Sequence, residues 1–402
     1  MSSRPLVLVV PLVASLASAA FARAAPCQSS PADGKLTASG AAVVLTWNQA
    51  QRERGFAHMD SVFTTRTVHA GPRAHPLPAG RPLAAFAPGG ARAAALDRYM
   101  ADEKVAGILV LQDGRVRLER YALGDTPDTR WHSFSVAKSV TSTLFGAAMK
   151  DGYIRSLDDS VTRYIPALRG SAYDGVTLRE LLTMTSGVRW NEDYTDLTSD
   201  VARLYAVTPD SGMDATVSYV RKLPRESPPG THWVYKTSET NLVGVLVMAA
   251  THKSLADYLT EKIWRPYGME RDAAWMTDDI GHEQGGCCLA MTLRDYARYG
   301  QFILDGARVD GHAIVPDAWL GDATRTQVAT GSPGSGYGFQ WWTRDDGTFD
   351  AIGIYGQCVH IDRARRLVIA INSAAEQATG RTITAGRRAF IDAVAAEVDA
   401  GR

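Results

Sequence analysis

The order of strand and helix patterns places this 402-residue chain in the α/β class, as a sheet domain interrupted by an all-α insertion domain. Strand patterns occur near both ends of the chain, and the segment between them is mainly helical with long loops. Since helices must cover the faces of a sheet, we expect residues 91–134 and 335–402 to form one α/β domain. We expect residues 135–334 to form the helical insertion.

The first 25 residues have the pattern of a secretory signal peptide. Arg4 precedes an apolar run that ends at Ala20, and small residues around Ala22 and Ala24 form a cleavage site. A transmembrane anchor fits less well, because the run is short and contains Pro11. We therefore expect a periplasmic or secreted protein with no membrane span after signal cleavage. A lipid anchor on Cys27 is the alternative.

Residues 26–90 are rich in proline, glycine and alanine, which favours an extended N-terminal arm. After it, a helical pattern covers residues 91–101, and two strands joined by a turn at Asp113-Gly114 cover residues 106–124. Apolar helices are predicted over 140–152, 177–187 and 241–253. Sheet character is expected to return only near the end, over 336–343, 351–362 and 365–373, before a closing helix over 386–400.

Composition excludes several partner classes. Lys and Arg together number 43, and Asp and Glu together also number 43, so neither nucleic acid nor an anionic membrane surface is an expected partner. The four cysteines are Cys27, Cys287, Cys288 and Cys358, and no CxxC spacing is present, so no metal site is expected. Buried free thiols and disulfides both remain open, although a bond between the adjacent Cys287 and Cys288 would be strained. The sequence does not indicate the oligomeric state.

A serine followed by a lysine three residues later carries the main chemical signal. Ser135 and Lys138 stand where a strand-and-loop region gives way to an apolar helix, in "SFSVAKSVTS". Residues three apart share a helix face, so the amine can approach the hydroxyl. Burial and the positive end of the helix both disfavour an ammonium, and a neutral amine can remove the serine proton. The pair therefore predicts an activated nucleophile.

A solvated helix face is the alternative reading of this pair, with Lys138 extending into water and Ser135 capping the helix. However, Lys138 is the only charged residue between positions 135 and 149, so no charged face exists for it to join. The chain has no GxSxG, HExxH, Walker or GxGxxG motif, and its nine histidines are scattered as surface or capping residues would be. No cofactor is expected.

With these residues in place, the sequence resembles serine hydrolases of the β-lactamase and penicillin-recognising family. The similarity lies in residues 133–168 and 173–194, in "YGFQWW" and "GIYGQCVHID" near the end, and in "GFAHMDSVFTTRTVHAG" of the arm. Within the family, the branch of class C β-lactamases, carboxylesterases and 6-aminohexanoate oligomer hydrolases is the most similar, the last of these above all. The resemblance implies an antiparallel sheet flanked by helices, with a β-lactamase/transpeptidase-like fold.

The resemblance also implies roles for seven residues. Ser135 is the expected nucleophile, Lys138 its helix partner, and Tyr235 in "VYKTSETNLVG" the proton shuttle, whose phenol would need its pKa lowered by a nearby Lys⁺. Gly356 and Gln357 lie on the strand expected to supply an oxyanion N–H. In "RWNEDYTD", Tyr194 is expected to hydrogen-bond the scissile amide nitrogen, and Glu192 to attract a substrate ammonium.

Two departures bear on the substrate. Thr237 stands where penicillin-recognising enzymes have asparagine, and Ile354 and Tyr355 stand where they have Lys or His and then Thr. The donors that would hold a β-lactam carboxylate are therefore missing. We expect a serine esterase or amidase that acts on small linear substrates, including ω-amino-acid oligomers, through an acyl-enzyme. The alternatives are a β-lactamase or D-alanyl-D-alanine carboxypeptidase, and a covalent sensor that stays acylated.

Overall fold

Eight antiparallel strands form the main sheet in this computed structural model, which describes residues 34–206 and 208–401. Their order is β3-β2-β14-β13-β12-β11-β10-β9, so the predicted N-terminal hairpin pairs directly with strands from the end of the chain. The strands are β1 (Thr65–Val68), β2 (Val105–Gln112), β3 (Arg115–Tyr121), β4 (Trp131–His132), β5 (Ala273–Met276), β6 (Leu289–Met291), β7 (Arg308–Val309), β8 (His312–Ala313), β9 (Val328–Ala329), β10 (Ser335–Tyr337), β11 (Trp342–Arg344), β12 (Phe349–Ile352), β13 (Cys358–Asp362) and β14 (Leu367–Ser373).

Helices flank this sheet and fill the middle of the chain. They are α1 (Gln49–Phe56), α2 (Met59–Val62), α3 (Ala93–Asp102), α4 (Ala137–Lys150), α5 (Val161–Tyr164), α6 (Leu178–Leu182), α7 (Asp200–Leu204), α8 (Ala215–Val220), α9 (Thr237–Thr251), α10 (Leu255–Leu259), α11 (Arg265–Tyr267), α12 (Leu293–Leu304), α13 (Trp319–Ala323) and α14 (Arg381–Ala400). The predicted α/β class, with an antiparallel sheet flanked by helices, is confirmed. The predicted helix over 177–187 is shorter than expected, because α6 ends at Leu182.

The hairpin of β2 and β3 follows from its sequence. Asp113 and Gly114 both have positive φ, 50° and 70°, the geometry of the tight hairpin turn that Asp-Gly favours. Every residue of β2 is buried, because α12 packs on one side of the sheet and α3 and α14 pack on the other. On the α14 side, Phe390 and Val394 belong to the same apolar cluster as Ile108 of β2.

A second, four-stranded sheet has the order β1-β5-β6-β4, which corrects the expectation that sheet structure returns only near the end of the chain. Strands β5 and β6 lie inside the segment expected to be mainly helical. Each has only three or four residues, and all of them are buried. Such short apolar runs show no alternation, so periodicity cannot separate them from a buried helix. This sheet matters for function, because β4 leads directly to Ser135.

The described part of the N-terminal arm is folded, whereas the sequence predicted an extended segment. It forms a 3₁₀ helix over Ala38–Thr46, then α1, α2 and β1. The side chain of Asn48 and that of Gln51 cap α1 reciprocally, and Phe56 and Phe63 are fully buried. Because proline and glycine breakers dominate the composition of the arm, its sequence pattern does not indicate these short helices and this strand. The predicted signal peptide over 1–25, and Cys27, lie outside the described residues.

No helix in the described ranges is both long enough and apolar enough to cross a membrane.

Candidate active site

Ser135 and Lys138 lie where β4 turns into the first long apolar helix. The chain leaves His132, makes a 3₁₀ turn over Phe134–Val136, and continues without a break as α4. Ser135 is only 7% exposed and Lys138 only 1% exposed, so the serine stands at the floor of a cleft and the lysine beneath it. The solvated helix face is therefore excluded, because the lysine side chain is buried and does not extend into bulk water.

The Lys138 amine has three oxygen neighbours. Its Nζ lies 3.0 Å from Ser135 Oγ, 3.0 Å from Thr237 Oγ1 and 2.6 Å from the carbonyl oxygen of Gly286. Burial lowers the pKa of Lys138 to about 7, while the negative charge of Glu192 acts in the opposite direction. A neutral amine has two N–H groups, which suit the carbonyl and the Thr237 oxygen. Its lone pair then remains for the serine proton.

Tyr235 lies beside this pair, with its ring centroid 5.1 Å from Lys138 Nζ. Burial, and then the charge of Glu192, raise the pKa of its phenol, and the nearby Ser135 hydroxyl only partly opposes that rise. The condition that a charged lysine lowers this pKa is not met, because burial raises the pKa of Tyr235 and also drives Lys138 toward its neutral form. Trp342 stacks on the Tyr235 ring at 5.4 Å and holds its orientation. Tyr235 stays protonated, so it can donate a proton but not act as the primary base.

Glu192 does not face a substrate as the sequence predicted. Its carboxylate accepts hydrogen bonds from Trp190 Nε1, from the Tyr194 hydroxyl at 2.6 Å, and from both the backbone N–H, at 2.9 Å, and the hydroxyl of Thr237. With these four donors all coming from the protein, no free edge remains for a substrate ammonium. The carboxylate instead anchors Thr237, which contacts Lys138. The sequence signal for this role was the threonine at position 237 in place of the family's asparagine. In the sequence it was interpreted only as the loss of a side-chain donor.

Tyr194 lies at the expected place but makes an unexpected bond. Its ring borders Ser135 in both clefts described below, so a substrate must pass it. Its hydroxyl hydrogen is donated to Glu192, so only the oxygen lone pairs face outward. A hydrogen bond from Tyr194 to an amide nitrogen would therefore require this contact to break.

Gly356 and Gln357 form a turn immediately before β13, rather than part of the strand itself. Gly356 has φ of 99°, and a Cβ at this position would lie 2.8 Å from Ser373 Oγ, so only glycine fits. The Gln357 side chain is fully buried, accepting a bond from the Ser373 N–H at 2.7 Å and donating to its carbonyl at 2.8 Å. This clamp fixes the backbone of Gln357, which the sequence predicts to supply the oxyanion donor.

Two clefts meet at Ser135. We name the first the disulfide-side cleft; it has a volume of about 60 Å³, and its lining contains no Asp, Glu, Lys or Arg. Its walls include Ala42 and Leu45 of the arm, and His132, whose burial lowers its pKa to about 3 and keeps it neutral. We name the second the tyrosine-side cleft; it has a volume of about 250 Å³ and is lined by Tyr235, Trp342, Gly356 and the start of α14.

A disulfide joins the adjacent residues Cys287 and Cys288, the pairing that sequence reasoning disfavoured. Cys288 has φ of 76°, so the backbone bends sharply within the pair. Both cysteines line the disulfide-side cleft, and they directly follow Gly286, whose carbonyl accepts from Lys138. Cys358 is a buried free thiol. The sequence alone does not show whether two adjacent cysteines form a disulfide or remain free thiols.

Sequence reasoning also missed two groups at the site. The Gly286 carbonyl comes from a loop far from Ser135 along the chain, and no side-chain motif marks it. His132 was expected with the other histidines at the surface, yet it is 2% exposed, as is His360, which pairs with Asp350 in the sheet. Apolar neighbours on both sides of His132 in "TRWHSFSV" were the available signal.

Comparisons with known proteins bear on the family and the fold of this chain. The Beta-lactamase family model matches residues 92–393, well over half of the chain. The 6-aminohexanoate-dimer hydrolase of Paenarthrobacter ureafaciens is 27% identical over 354 residues, covering 84% of this chain and 89% of that protein. A solved structure assigned as a 6-aminohexanoate-dimer hydrolase from Bacillus anthracis is 25% identical, with a TM-score of 0.76 over 86% of this chain and 94% of that one. A class C beta-lactamase at 17% identity shares the fold, with a TM-score of 0.53 over 72% of this chain and 91% of that one.

Proposed function

Because this chain belongs to the beta-lactamase family, we propose that it is a serine hydrolase of small linear esters or amides that works through an acyl-enzyme. The observation that carries the proposal is the buried Lys138 amine, 3.0 Å from the Ser135 hydroxyl and with a pKa lowered to about 7. The similarity to 6-aminohexanoate-dimer hydrolases supports linear amides among the substrates.

In the acylation step, Lys138 accepts the Ser135 hydroxyl proton as Oγ bonds to the substrate carbonyl carbon. The backbone N–H groups of Ser135 and Gln357 hold the resulting oxyanion, and the Gln357 clamp keeps its donor in place. When the tetrahedral intermediate collapses, Tyr235 donates its phenolic proton to the leaving group. Lys138 then returns the proton it holds to Tyr235, so the charges balance.

Deacylation reverses these roles with water as the nucleophile. Water enters where the leaving group departed, loses a proton to neutral Lys138, and adds to the acyl carbonyl. Collapse of the second intermediate releases the acid and returns the proton to Ser135. Neutral Lys138 and Ser135 are then restored, so no cofactor is consumed.

Two other activities on this scaffold predict different kinetics. The missing Lys or His and Thr at positions 354 and 355 disfavour β-lactam turnover, and measurable nitrocefin hydrolysis would favour the β-lactamase alternative. A covalent sensor would release one equivalent of product and then stop, whereas a hydrolase continues to steady state. We further propose that the enzyme acts in the periplasm or outside the cell, on the signal-peptide pattern of residues 1–25.

Activity-based labelling tests the nucleophile directly. A fluorophosphonate probe should label the peptide that contains Ser135, and Ser135→Ala should lose both labelling and p-nitrophenyl butyrate hydrolysis. The matched control is Ser139→Ala, because Ser139 lies in α4 near Ser135, its hydroxyl donates to the distant Gln340 carbonyl, and it lines neither cleft. Ester hydrolysis that survives in Ser135→Ala would overturn the proposal.

A further inference from the structure

The Cys287–Cys288 disulfide lies between two contacts at the proposed catalytic pair. Gly286, directly before it, accepts a hydrogen bond from the Lys138 amine through its carbonyl oxygen at 2.6 Å. Leu289, directly after it, exchanges two hydrogen bonds with Ser133. The Leu289 N–H donates to the Ser133 hydroxyl at 3.0 Å, and its carbonyl accepts from the Ser133 N–H at 3.1 Å. The bonded pair therefore connects the acceptor of the lysine with the chain just before the nucleophile.

The disulfide also contacts the hydrogen-bond network that holds Gly286. The Tyr205 hydroxyl lies 3.4 Å from Cys287 Sγ, and because a disulfide sulfur carries no hydrogen, the hydroxyl is the donor. Tyr205 in turn accepts a bond from the side-chain amide of Asn241 at 3.3 Å, and Asn241 accepts from the Gly286 N–H at 2.7 Å. The N–H of Gly286 is thus held through groups that contact the disulfide, while its carbonyl meets Lys138.

The disulfide restricts the backbone at the point where the chain bends. Cys288 has φ of 76°, a region that residues other than glycine rarely adopt. A disulfide between neighbours closes a small ring that contains their shared peptide bond, so the covalent link limits how far this backbone can relax. Two thiols cannot occupy the positions of two bonded sulfur atoms, because unbonded sulfurs repel at bonding distance. Breaking the bond must therefore move Cys287, Cys288 or both.

A small thiol can approach this disulfide through the cleft of the nucleophile. Cys287 and Cys288 line the disulfide-side cleft together with Ser135, and they keep exposed fractions of 7% and 6%. Cys358, the other cysteine in residues 34–206 and 208–401, has an exposed fraction of 0% and lines neither cleft. Within the described ranges, the disulfide is therefore the cysteine group most open to thiol chemistry.

We propose that the Cys287–Cys288 disulfide positions the Gly286 carbonyl against Lys138, and that its reduction by a dithiol reversibly lowers catalytic activity. This inference rests on the proposed hydrolase function and adds a positioning group to its machinery. In the reduction, a thiolate of the dithiol bonds to one cysteine sulfur, the S–S bond breaks, and the other sulfur leaves and takes up the proton that the reagent lost. The second thiol of the reagent then displaces the first cysteine, which leaves two cysteine thiols and a cyclic disulfide of the reagent.

Reduction should change the pH profile as well as the rate. The Gly286 carbonyl oxygen carries partial negative charge, so its hydrogen bond with Lys138 is stronger when the amine is protonated. When Gly286 moves away, the pKa of Lys138 should fall below its value of about 7, and the acid limb of kcat/KM should move to lower pH. The plateau should fall by between about tenfold and hundredfold, because small displacements of catalytic groups are costly.

The test measures kcat/KM for p-nitrophenyl butyrate between pH 5 and 8 before and after reduction of the wild-type enzyme by dithiothreitol. The reagent is removed under anaerobic conditions before the assay, because thiolates themselves cleave nitrophenyl esters, and peptide mapping confirms that Cys287 and Cys288 have become thiols. We expect a lower plateau and a shifted acid limb, and recovery of both when oxidised glutathione re-forms the disulfide. Unchanged kcat/KM, or a lower plateau whose acid limb has not moved to lower pH, would overturn the inference.

Variants assign the effect to this pair of cysteines. The variant that carries both Cys287→Ser and Cys288→Ser should show the kinetics of the reduced enzyme without any reductant, and it should not respond to dithiothreitol. Cys358→Ala is the matched control, because it removes a thiol outside both clefts and leaves the disulfide in place. It should respond to reduction as the wild-type enzyme does. A double variant that still loses activity on reduction would place the effect elsewhere and overturn the assignment.

The two proposals fail in different ways. If the oxidised wild-type enzyme hydrolyses no ester, the hydrolase function is wrong and this inference falls with it. If the enzyme hydrolyses the ester equally well before and after reduction, the hydrolase function stands and only the positioning role is wrong. If reduction abolishes the near-UV circular dichroism together with activity, the disulfide supports the fold as a whole and the specific role at Lys138 is overturned.

Discussion

At the scale of single residues, the burial of Lys138 favours its neutral form. An ammonium would present a third proton to Ser135 Oγ, whereas a neutral amine presents a lone pair there and keeps both N–H groups on Gly286 and Thr237. Burial supplies the free-energy difference that lowers the pKa of Lys138 to about 7. Activity should therefore depend on the protonation of this one side chain.

The pH dependence follows from that pKa. Because only neutral Lys138 can accept the serine proton, kcat/KM for a neutral ester should rise as pH increases through about 7, tenfold per pH unit below it, and then reach a plateau. Lys138→Arg should remove activity across this range, since arginine stays protonated. A profile that is flat between pH 5 and 8, measured with p-nitrophenyl butyrate, would argue against Lys138 as the base.

Glu192 should influence the pH at which kcat/KM falls. Its charge raises the pKa of Lys138, so Glu192→Gln should move the acid limb of kcat/KM to lower pH and reduce the plateau, because Thr237 loses its anchor. The matched control is Asp193→Asn, whose exposed carboxylate accepts hydrogen bonds from Thr195 and from the backbone N–H of Asp196. It should leave both the acid limb and the plateau unchanged.

The same variant separates a positioning role from an ammonium site. If Glu192 binds a substrate ammonium, Glu192→Gln should raise KM for a 6-aminohexanoyl ester while leaving KM for the hexanoyl ester unchanged. The saturated carboxylate predicts the opposite result, an equal effect on both substrates together with the shifted acid limb. If the acid limb of kcat/KM does not shift in Glu192→Gln, Glu192 does not influence proton transfer at Lys138.

At the scale of elements, the first turn of α9 is held by a buried ion pair that sequence reasoning did not identify. Lys236 and Glu239 are 1% and 0% exposed in their side chains, with Nζ and Oε1 3.6 Å apart, and Ser186 also bonds to Glu239. Tyr235 and Thr237, on either side of Lys236, both contact the site. The pair therefore holds in place the segment that carries Tyr235 and Thr237.

Breaking this pair should cost far more than breaking a surface pair. Glu239→Gln leaves a buried ammonium without its carboxylate, and we expect a loss of about 3–5 kcal/mol in the free energy of unfolding, measured by urea denaturation. The control is Asp97→Asn, which removes an exposed pair with Arg120 and should leave the urea midpoint nearly unchanged. Equal urea midpoints for the two variants would mean that the buried pair stabilises the fold no more than the exposed pair does.

At the scale of the whole molecule, the N-terminal arm completes the active site. Phe56 of α1 is fully buried, and its ring centroid lies 4.9 Å from that of Phe134 and 5.2 Å from that of Tyr355. Phe134 precedes Ser135, and Tyr355 precedes Gly356. One arm residue thus packs against both halves of the site, which come from opposite ends of the family-matched region.

Phe56→Ala should therefore affect stability and catalysis together. We expect a loss of about 3–5 kcal/mol in the free energy of unfolding, as for other buried Phe-to-Ala changes. We also expect kcat/KM to fall by between about tenfold and hundredfold, because small displacements of catalytic groups are costly. The control Leu197→Ala removes a side chain from a residue that is 57% exposed and should change neither value. A destabilised Phe56→Ala with normal kcat/KM would show that the arm supports the fold alone.

The sequence by itself determined the α/β class, the hairpin at Asp113-Gly114, the long helices and the Ser135–Lys138 pair. Each of these depends on local chemistry: side-chain periodicity, turn residues, or two groups one helical turn apart. Tyr235 and the turn at Gly356 and Gln357 were reached through family resemblance, and Tyr235 and Gly356 line the same cleft as Ser135.

Only the tertiary structure decided the rest. The partners of Lys138 at Gly286 and Thr237, and the two bonds from Thr237 that complete the saturation of Glu192, depend on which distant segments meet. A Glu or Arg is written with the same letter whether its side chain is solvated, fully hydrogen-bonded within the protein or unpaired. Burial and the positions of its neighbours determine which of these applies, and both are properties of the folded chain.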